Sequence, residues 1–110
     1  MTSRTTYYIV NAFTELTFGG NPAAVMVLDD WLTDDQLLAL AAQHNLSETA
    51  FLVERDRGVY GLRWFTPAAE VPLCGHATLA AAHVLRRELG VDVSWLQFET
   101  LHSGRLTASE

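Results

Sequence analysis

The architecture of this chain is set by one segment, GHATLAAAHVLRREL, which spans residues 75–89. Its first half has no charged side, and its arginines and its glutamate come only near the end. A helix that is apolar on all sides is normally buried, and alanine side chains let strands approach it closely. The segment therefore predicts a buried helix that begins near Gly75 or His76 and ends at Leu89, with Gly90 just past its end.

Predicted strands flank this helix on both sides along the chain. They are rich in β-branched and aromatic residues and are separated by turn residues. Two of them form a hairpin around the turn at 55–58, and alternation places Tyr60, Leu62 and Trp64 on one face of its second strand. The predicted strands cover residues 7–13, 23–28, 50–54, 59–66 and 95–101, and a last one opens at 105–107.

A second helix is predicted between the strands at 23–28 and 50–54. Thr33 and Gln36 have the spacing of a capping box, in which each side chain bonds the backbone N–H of the other residue. Apolar residues follow at helical spacing, and the helix is expected to end near His44 with Asn45 as terminator.

The composition fits one packed domain over residues 1–110, with 49% hydrophobic residues and no low-complexity tract. The 13 acidic residues outnumber the 7 basic ones, so the formal net charge is −6. Binding to nucleic acid or to anionic lipid depends on a surplus of lysine and arginine. We therefore expect no nucleic-acid partner and no membrane partner.

A lone cysteine, Cys74, excludes an internal disulfide, and four ligands at zinc-finger spacing are missing. The opening MTSRTT is not followed by the long apolar run of a signal peptide or a membrane helix. A phosphate-binding glycine-rich loop and a dinucleotide fingerprint are also missing. We expect a soluble, cytoplasmic protein with no bound metal.

Glu48 is a candidate for proton transfer. It lies between the predicted end of a helix and an apolar strand, and a carboxyl group partly withdrawn from water is the kind that enzymes use as an acid or base near neutral pH. The structural alternative is a solvated turn residue, or a residue that caps a backbone group together with Ser47.

Cys74, Gly75 and His76 stand at the start of this predicted buried helix. Gly75 lets the backbone come close to a ligand, and the free N–H groups of a first helical turn suit a carboxylate or an oxyanion. The same field favours the thiolate form of Cys74, and His76 can donate to a ligand or exchange a proton with it. The structural alternative is a small core cysteine and a histidine that merely opens the helix.

Asn21 follows two glycines and precedes a proline. Its amide can hold a polar group of a substrate, but the same four residues also make an ordinary turn. The other histidines, His44, His83 and His102, show no partner pattern and are expected to be structural or exposed.

Five motifs occur in a fixed order: NAFT at 11–14, FGGNPAAV at 18–25, NLSETAF at 45–51, RWFTP at 63–67 and EVPLCGHAT at 70–78. In this order they resemble the phenazine-biosynthesis (PhzF-like) family, which shares the diaminopimelate-epimerase fold. The resemblance runs from about residue 7 to about residue 107.

The resemblance implies an α+β fold, in which a curved and mostly antiparallel sheet wraps around the central helix to form one lobe of a two-lobed protein. It implies that the site uses neither a metal nor an organic cofactor. The acid–base glutamate of the family maps to Glu48 and its Gly-His pair to Gly75 and His76. Asn21 corresponds to a substrate-contacting asparagine, and Cys74 occupies the position of a catalytic cysteine in related epimerases.

Three functions remain open on this basis. The first is isomerisation of a small unsaturated or carbonyl-bearing acid by a proton shift through Glu48, with His76 and Gly75 holding the substrate. The second is epimerisation or racemisation through the thiolate of Cys74. The third is an inactive lobe that only dimerises or binds small acids.

The length of the chain departs from the family pattern, since family members are more than twice as long as these 110 residues. A lone lobe leaves its concave site open to water, which weakens electrostatic catalysis. The strand that opens at 105–107 also lacks a continuation. We therefore expect a truncated unit, an N-terminal lobe that pairs with itself as a homo-oligomer or with a separate second lobe.

Overall fold

The computed structural model describes residues 6–12, 21–44, 48–72 and 75–109 of the chain, and the side chains of 23–44, 48–72 and 77–108. Two helices, seven strands and one π-helical turn lie within these ranges. In chain order they are β1 (Thr6–Ala12), β2 (Asn21–Leu28), α1 (Asp34–His44), β3 (Glu48–Asp56), β4 (Val59–Phe65), β5 (Glu70–Val71), α2 (Gly75–His83), the π-helical turn Val84–Glu88, β6 (Trp95–Glu99) and β7 (Arg105–Ser109).

The seven described strands form one mixed sheet. Its order is β1-β2-β3-β4-β6-β7, and the short strand β5 pairs with β4 beyond the end of β6. The pairs β2–β3 and β4–β6 are parallel, and the other four pairs are antiparallel. The sheet is therefore mostly antiparallel, as expected.

The sheet is a layer between the two helices. Along β3, Ala50 and Leu52 belong to the apolar cluster that includes the alanines of α2. The alternate residues Phe51 and Val53 pack in a second cluster with α1. Because successive strand residues point to opposite faces, β3 is buried on both sides, which explains its unbroken apolar run. The predicted α+β class, with the buried side of α2 packed on a mostly antiparallel sheet, is confirmed.

Helix α1 begins where the capping box predicts. The Thr33 N–H donates to Gln36 Oε1 at 3.0 Å, and the Gln36 N–H donates to Thr33 Oγ1 at 3.2 Å. These two bonds satisfy N–H groups that the first turn of a helix leaves without a partner. On the inward side of the helix, Leu37 and Ala41 are buried against the sheet.

Helix α2 differs from the prediction at its end. The regular helix stops at His83 and a π-helical turn follows. In this wider turn the Leu89 N–H donates to the carbonyl of Val84 at 3.1 Å, and the Val91 N–H reaches back to Leu85 at 2.8 Å. The terminator is correct, since Gly90 has a φ of 66°, a conformation that favours glycine.

The expectation that α2 is buried on all sides is wrong along the side that carries Leu79 and His83, which are both exposed. Ala77, Ala80 and Ala81 are at most 2% exposed, but Leu79 is 55% exposed. The sheet covers only one side of the helix, so the apolar side of α2 that carries Leu79 faces away from it.

The predicted hairpin is present and longer than expected. Strand β3 begins at Glu48 rather than at residue 50, and the turn to β4 places Gly58 at a φ of 74°. Strand β5 was not predicted, because a two-residue strand carries no periodic signal. Within the described ranges, neither helix has the length and apolar character needed to cross a membrane.

Candidate functional site

One edge of the sheet gathers the ends of four neighbouring strands. The parallel strands β2 and β3 both begin there, with Asn21 as the first residue of β2 and Glu48 as the first residue of β3. Glu48 pairs with Ala23, and Asn21 pairs with Ala12 at the end of β1. The antiparallel strand β4 ends at the same edge with Phe65. Two of the predicted site residues therefore occupy adjacent strands at one edge.

Glu48 lies on the face of the sheet that carries α2. It is half-buried and shares its alternation along β3 with Ala50 and Leu52, which pack in one cluster with Ala77 near the start of α2. Residues two apart in a strand line one face. Glu48 is thus a strand residue with its own contacts rather than a turn residue. Its catalytic role stays a prediction.

A hydrogen bond joins the first turn of α2 to the sheet. The indole Nε1–H of Trp64 on β4 donates to Oγ1 of Thr78, the fourth residue of α2, at 2.9 Å. Trp64 is 2% exposed and stands opposite Ala50 in the β3–β4 ladder. Because Ala50 follows Glu48 by two residues on the same face, this bond ties the beginning of α2 to the start of β3.

On the opposite face, a histidine contacts the residue that follows Glu48. Nδ1 of His44, the last residue of α1, lies 3.4 Å from Oγ1 of Thr49, which is 1% exposed. Burial lowers the pKa of His44 below its ordinary value, because desolvation disfavours the imidazolium. The sequence analysis found no partner for His44; the contact requires the end of α1 to pack beside the start of β3.

Gly75 and His76 are the first two residues of α2. Their backbone begins the helix where the sequence predicts, and the side chain of His76 lies outside the described part of the structure. The same holds for the side chain of Asn21, whereas Cys74 lies wholly outside the described residues. The functional roles of these four residues stay predictions.

Among the described residues, no group of three or more histidine, cysteine, aspartate or glutamate side chains is arranged to hold a metal ion. The predicted site itself offers a carboxylate, backbone N–H groups at a helix start, and candidate imidazole and amide groups, which are groups suited to moving protons and holding an acid.

A separate groove opens on the face of the sheet that carries α1. Its volume is about 410 Å³, and it lies where β5 and β6 leave part of β4 uncovered. Glu48 does not line it, so the groove is distinct from the predicted site. The lining residues are Trp31, Arg55, Gly61, Leu62, Arg63, Glu99, Thr100 and Leu101.

The guanidinium of Arg63, which lines that groove, is bound by other side chains of the protein. Its guanidinium donates twice to Glu70, at 2.8 and 2.7 Å, and once to Asp34, at 3.0 Å. It also lies over the rings of Trp31 and Phe65. The bond to Glu70 is the main cause that raises the pKa of Arg63 above its ordinary value. Arg63 therefore joins the start of α1 to strands β4 and β5, a role the sequence analysis missed.

This chain is similar in sequence and in fold to known proteins. The family model for phenazine biosynthesis-like proteins matches residues 10–110. An uncharacterized isomerase from Pseudomonas aeruginosa is 56% identical over 102 residues, a match that covers 93% of this chain and 39% of the relative.

Two solved structures share the fold. One is a PhzF-family phenazine biosynthesis protein from Enterococcus faecalis, with a TM-score of 0.88 and 49% identity over 99% of this chain and 41% of that chain. The other is a predicted epimerase from Pseudomonas aeruginosa, with a TM-score of 0.79 and 26% identity over 94% of this chain and 38% of the other.

The fold is thus that of a lobe from the isomerase and epimerase class of proteins. The chain belongs to the phenazine biosynthesis-like (PhzF) family, which confirms the assignment made from the five motifs. It spans about two-fifths of the length of the relatives that it matches.

Proposed function

We propose that this chain supplies the proton-transfer half of a cofactor-independent isomerase, with Glu48 as the acid–base residue. The substrate is a small acid that carries a carbonyl group or a carbon–carbon double bond. The observation that carries the proposal is the position of Glu48, half-buried at the start of β3 and on the face of the sheet that carries α2.

The chemistry is a proton shift. Glu48 removes a proton from a carbon next to the carbonyl or double bond, the electron pair moves into the unsaturated system, and the same carboxyl returns the proton to another carbon. The substrate and the product then have the same composition, so the reaction needs no oxidant, reductant or metal. A strand residue suits this task because pairing with β2, where Glu48 stands opposite Ala23, fixes its backbone and so holds the carboxylate in place.

The start of α2 supplies the binding groups in this proposal. The N–H groups of a first helical turn have no partner within the helix and favour a negative charge. We assign the backbone of Gly75 and the imidazole of His76 to the carboxylate or the developing oxyanion of the substrate, and Asn21 and Cys74 to further contacts. The motif resemblance and the location of Gly75 and His76 at the helix start support this assignment.

A second lobe completes the site in this proposal. The chain spans 39% of the isomerase from Pseudomonas aeruginosa, and we expect a lone lobe to leave its concave site open to water. We propose that a second copy of the chain or a separate second lobe covers the edge that carries Glu48.

The net charge of −6 and the lone cysteine support a cytoplasmic protein that binds neither nucleic acid nor membrane.

The test supplies the missing part and follows proton exchange directly. The chain is co-expressed with, or fused to, the C-terminal remainder of the Pseudomonas aeruginosa isomerase. This preparation is incubated in D₂O with a panel of small unsaturated and keto acids. Nuclear magnetic resonance then detects deuterium at carbon together with the isomerised product. We expect Glu48→Gln to lower turnover by about a hundredfold or more, because acid–base catalysis contributes on that scale.

Glu54→Gln is the matched control, since Glu54 is an exposed glutamate near the other end of the same strand, and it should leave turnover unchanged. Undiminished turnover in Glu48→Gln would rule out the role of Glu48. Binding of an acid without turnover in the unsubstituted protein would instead favour the inactive binding lobe.

The likeness to a predicted epimerase keeps the cysteine reaction as a second candidate. In that reaction the thiolate of Cys74 exchanges a proton at a single carbon and inverts its configuration. Cys74→Ala separates the two reactions, because it should abolish inversion and leave proton-shift isomerisation largely intact.

A further inference from the structure

We infer that Trp64 and Thr78 are positioning residues that set the start of α2 relative to Glu48. This inference rests on the proposed function, since it assigns the two sides of one site to Glu48 on β3 and to Gly75 and His76 on α2. The observation is the hydrogen bond from Trp64 Nε1 to Thr78 Oγ1 at 2.9 Å.

The packing of α2 on the sheet leaves its position along the helix axis loosely specified. The residues that it buries near its start are alanines, Ala77, Ala80 and Ala81. A methyl side chain permits close approach but offers little shape to interlock with a neighbour. A slip by one residue would move the start of the helix by about 1.5 Å, so a directional contact is needed to fix the position.

The donor of that contact is itself fixed. Trp64 is 2% exposed and is flanked by Ala50 on β3 and by Val71 on β5 in the sheet. Ala50 lies two residues after Glu48, which is about 7 Å along a strand. The indole therefore sets the position of the first turn of α2 relative to the strand that carries Glu48.

The reaction requires precise geometry in the site, so loss of this hydrogen bond should lower the rate. Productive geometry is held to about 0.5 Å, and a misplacement of about 1 Å lowers rates by about a hundredfold. Loss of the bond leaves a nearly buried indole N–H without its acceptor, so the first turn relaxes to restore a partner. The expected effect falls on the chemical step rather than on the amount of folded protein.

The first experiment compares two substitutions of Thr78 in the complemented preparation used above. Thr78→Val keeps the shape and removes the acceptor, whereas Thr78→Ser keeps the hydroxyl. We expect Thr78→Val to lower kcat by about 10- to 100-fold with KM changed much less, and Thr78→Ser to restore kcat to near the original value. Trp64→Phe should lower kcat similarly, and the double variant Trp64→Phe/Thr78→Val should lose less than the product of the two single losses, because both substitutions remove the shared bond.

The second experiment needs no substrate and uses the chain itself. Amide hydrogen exchange at Leu79 and Ala80, whose N–H groups bond back to the carbonyls of the first turn of α2, should accelerate by at least about tenfold in Thr78→Val, return to the original rate in Thr78→Ser, and stay unchanged at Leu37 in α1. Equal acceleration at Leu37 would show general destabilisation and would overturn the inference, as would unchanged exchange at Leu79 and Ala80.

The two experiments separate this inference from the proposed function. If Glu48→Gln stays active, the proposed function fails regardless of the exchange rates in α2. If Glu48→Gln is inactive while Thr78→Val retains full kcat, the proposed function stands and the positioning role is refuted.

Discussion

The cluster around Arg63 gives the sharpest stability prediction. The Arg63 side chain is 11% exposed and contacts two carboxylates that differ greatly in exposure, Glu70 at 24% and Asp34 at 80%. Substitution of Arg63 by methionine keeps most of the apolar stem but removes the charge and every donor. It leaves the partly buried carboxylate of Glu70 without its bidentate partner.

The magnitude follows from the contacts. A hydrogen bond to a charged group contributes about 1.5–3 kcal/mol, and we take the lower end because solvent reaches Glu70. Each contact of the guanidinium with an aromatic ring adds about 0.5–1 kcal/mol; its Cζ lies 5.6 Å from the Trp31 ring centroid and 5.4 Å from that of Phe65. We expect Arg63→Met to lower the free energy of unfolding by about 2–4 kcal/mol.

Urea unfolding followed by circular dichroism measures this change, and two further variants calibrate it. Arg63→Lys keeps a charge but not the planar fork that meets Glu70, so it should lose about 1–2 kcal/mol. Asp34→Asn should lose at most about 0.5 kcal/mol, because an exposed ion pair contributes little. The reasoning is refuted if Asp34→Asn destabilises as much as Arg63→Met, or if Arg63→Lys equals the unsubstituted protein.

Two further predictions concern the ends of α1. Thr33→Ala removes the acceptor for the Gln36 N–H and should lower stability in urea unfolding by about 1 kcal/mol; Thr33→Ser should lose little, and equal losses in both variants would contradict the capping role. Burial holds the folded pKa of His44 below its ordinary value of 6.5, so the folded state resists protonation of this ring. The stability that depends on a neutral His44 ring is fully present above about pH 6.5 and is lost as the pH falls toward the folded pKa. The loss of stability between about pH 8 and about pH 5 should therefore be smaller in His44→Gln, and an identical loss in both proteins would contradict this account.

The side of α2 that carries Leu79 faces away from the described sheet. Leu79 is 55% exposed on a helix whose neighbouring alanines are buried, and the relatives are longer than this chain by more than a factor of two. The sequence predicted a helix buried on all sides, and the described residues cover one side of it. The apolar composition of α2 therefore exceeds what this sheet alone requires.

Local signals in the sequence determined most of the elements. The Thr33–Gln36 capping box marks the start of α1 correctly, Gly90 terminates the segment that begins with α2, and alternation places Tyr60, Leu62 and Trp64 on one face of their strand. These features depend on interactions between residues within a few positions of one another, so they can be predicted from the sequence alone.

Tertiary structure alone decided how the candidate site is assembled. The parallel pairing of β2 with β3 brings Asn21 and Glu48 to one edge, and the Trp64–Thr78 bond spans 14 residues of sequence. The contact of Arg63 with Asp34 spans 29 residues. Such contacts form only after the chain has paid the entropy of closing long loops, and no local pattern encodes which distant groups then meet. The sequence thus proposed candidate residues, and strand pairing placed Asn21 and Glu48 on adjacent strands.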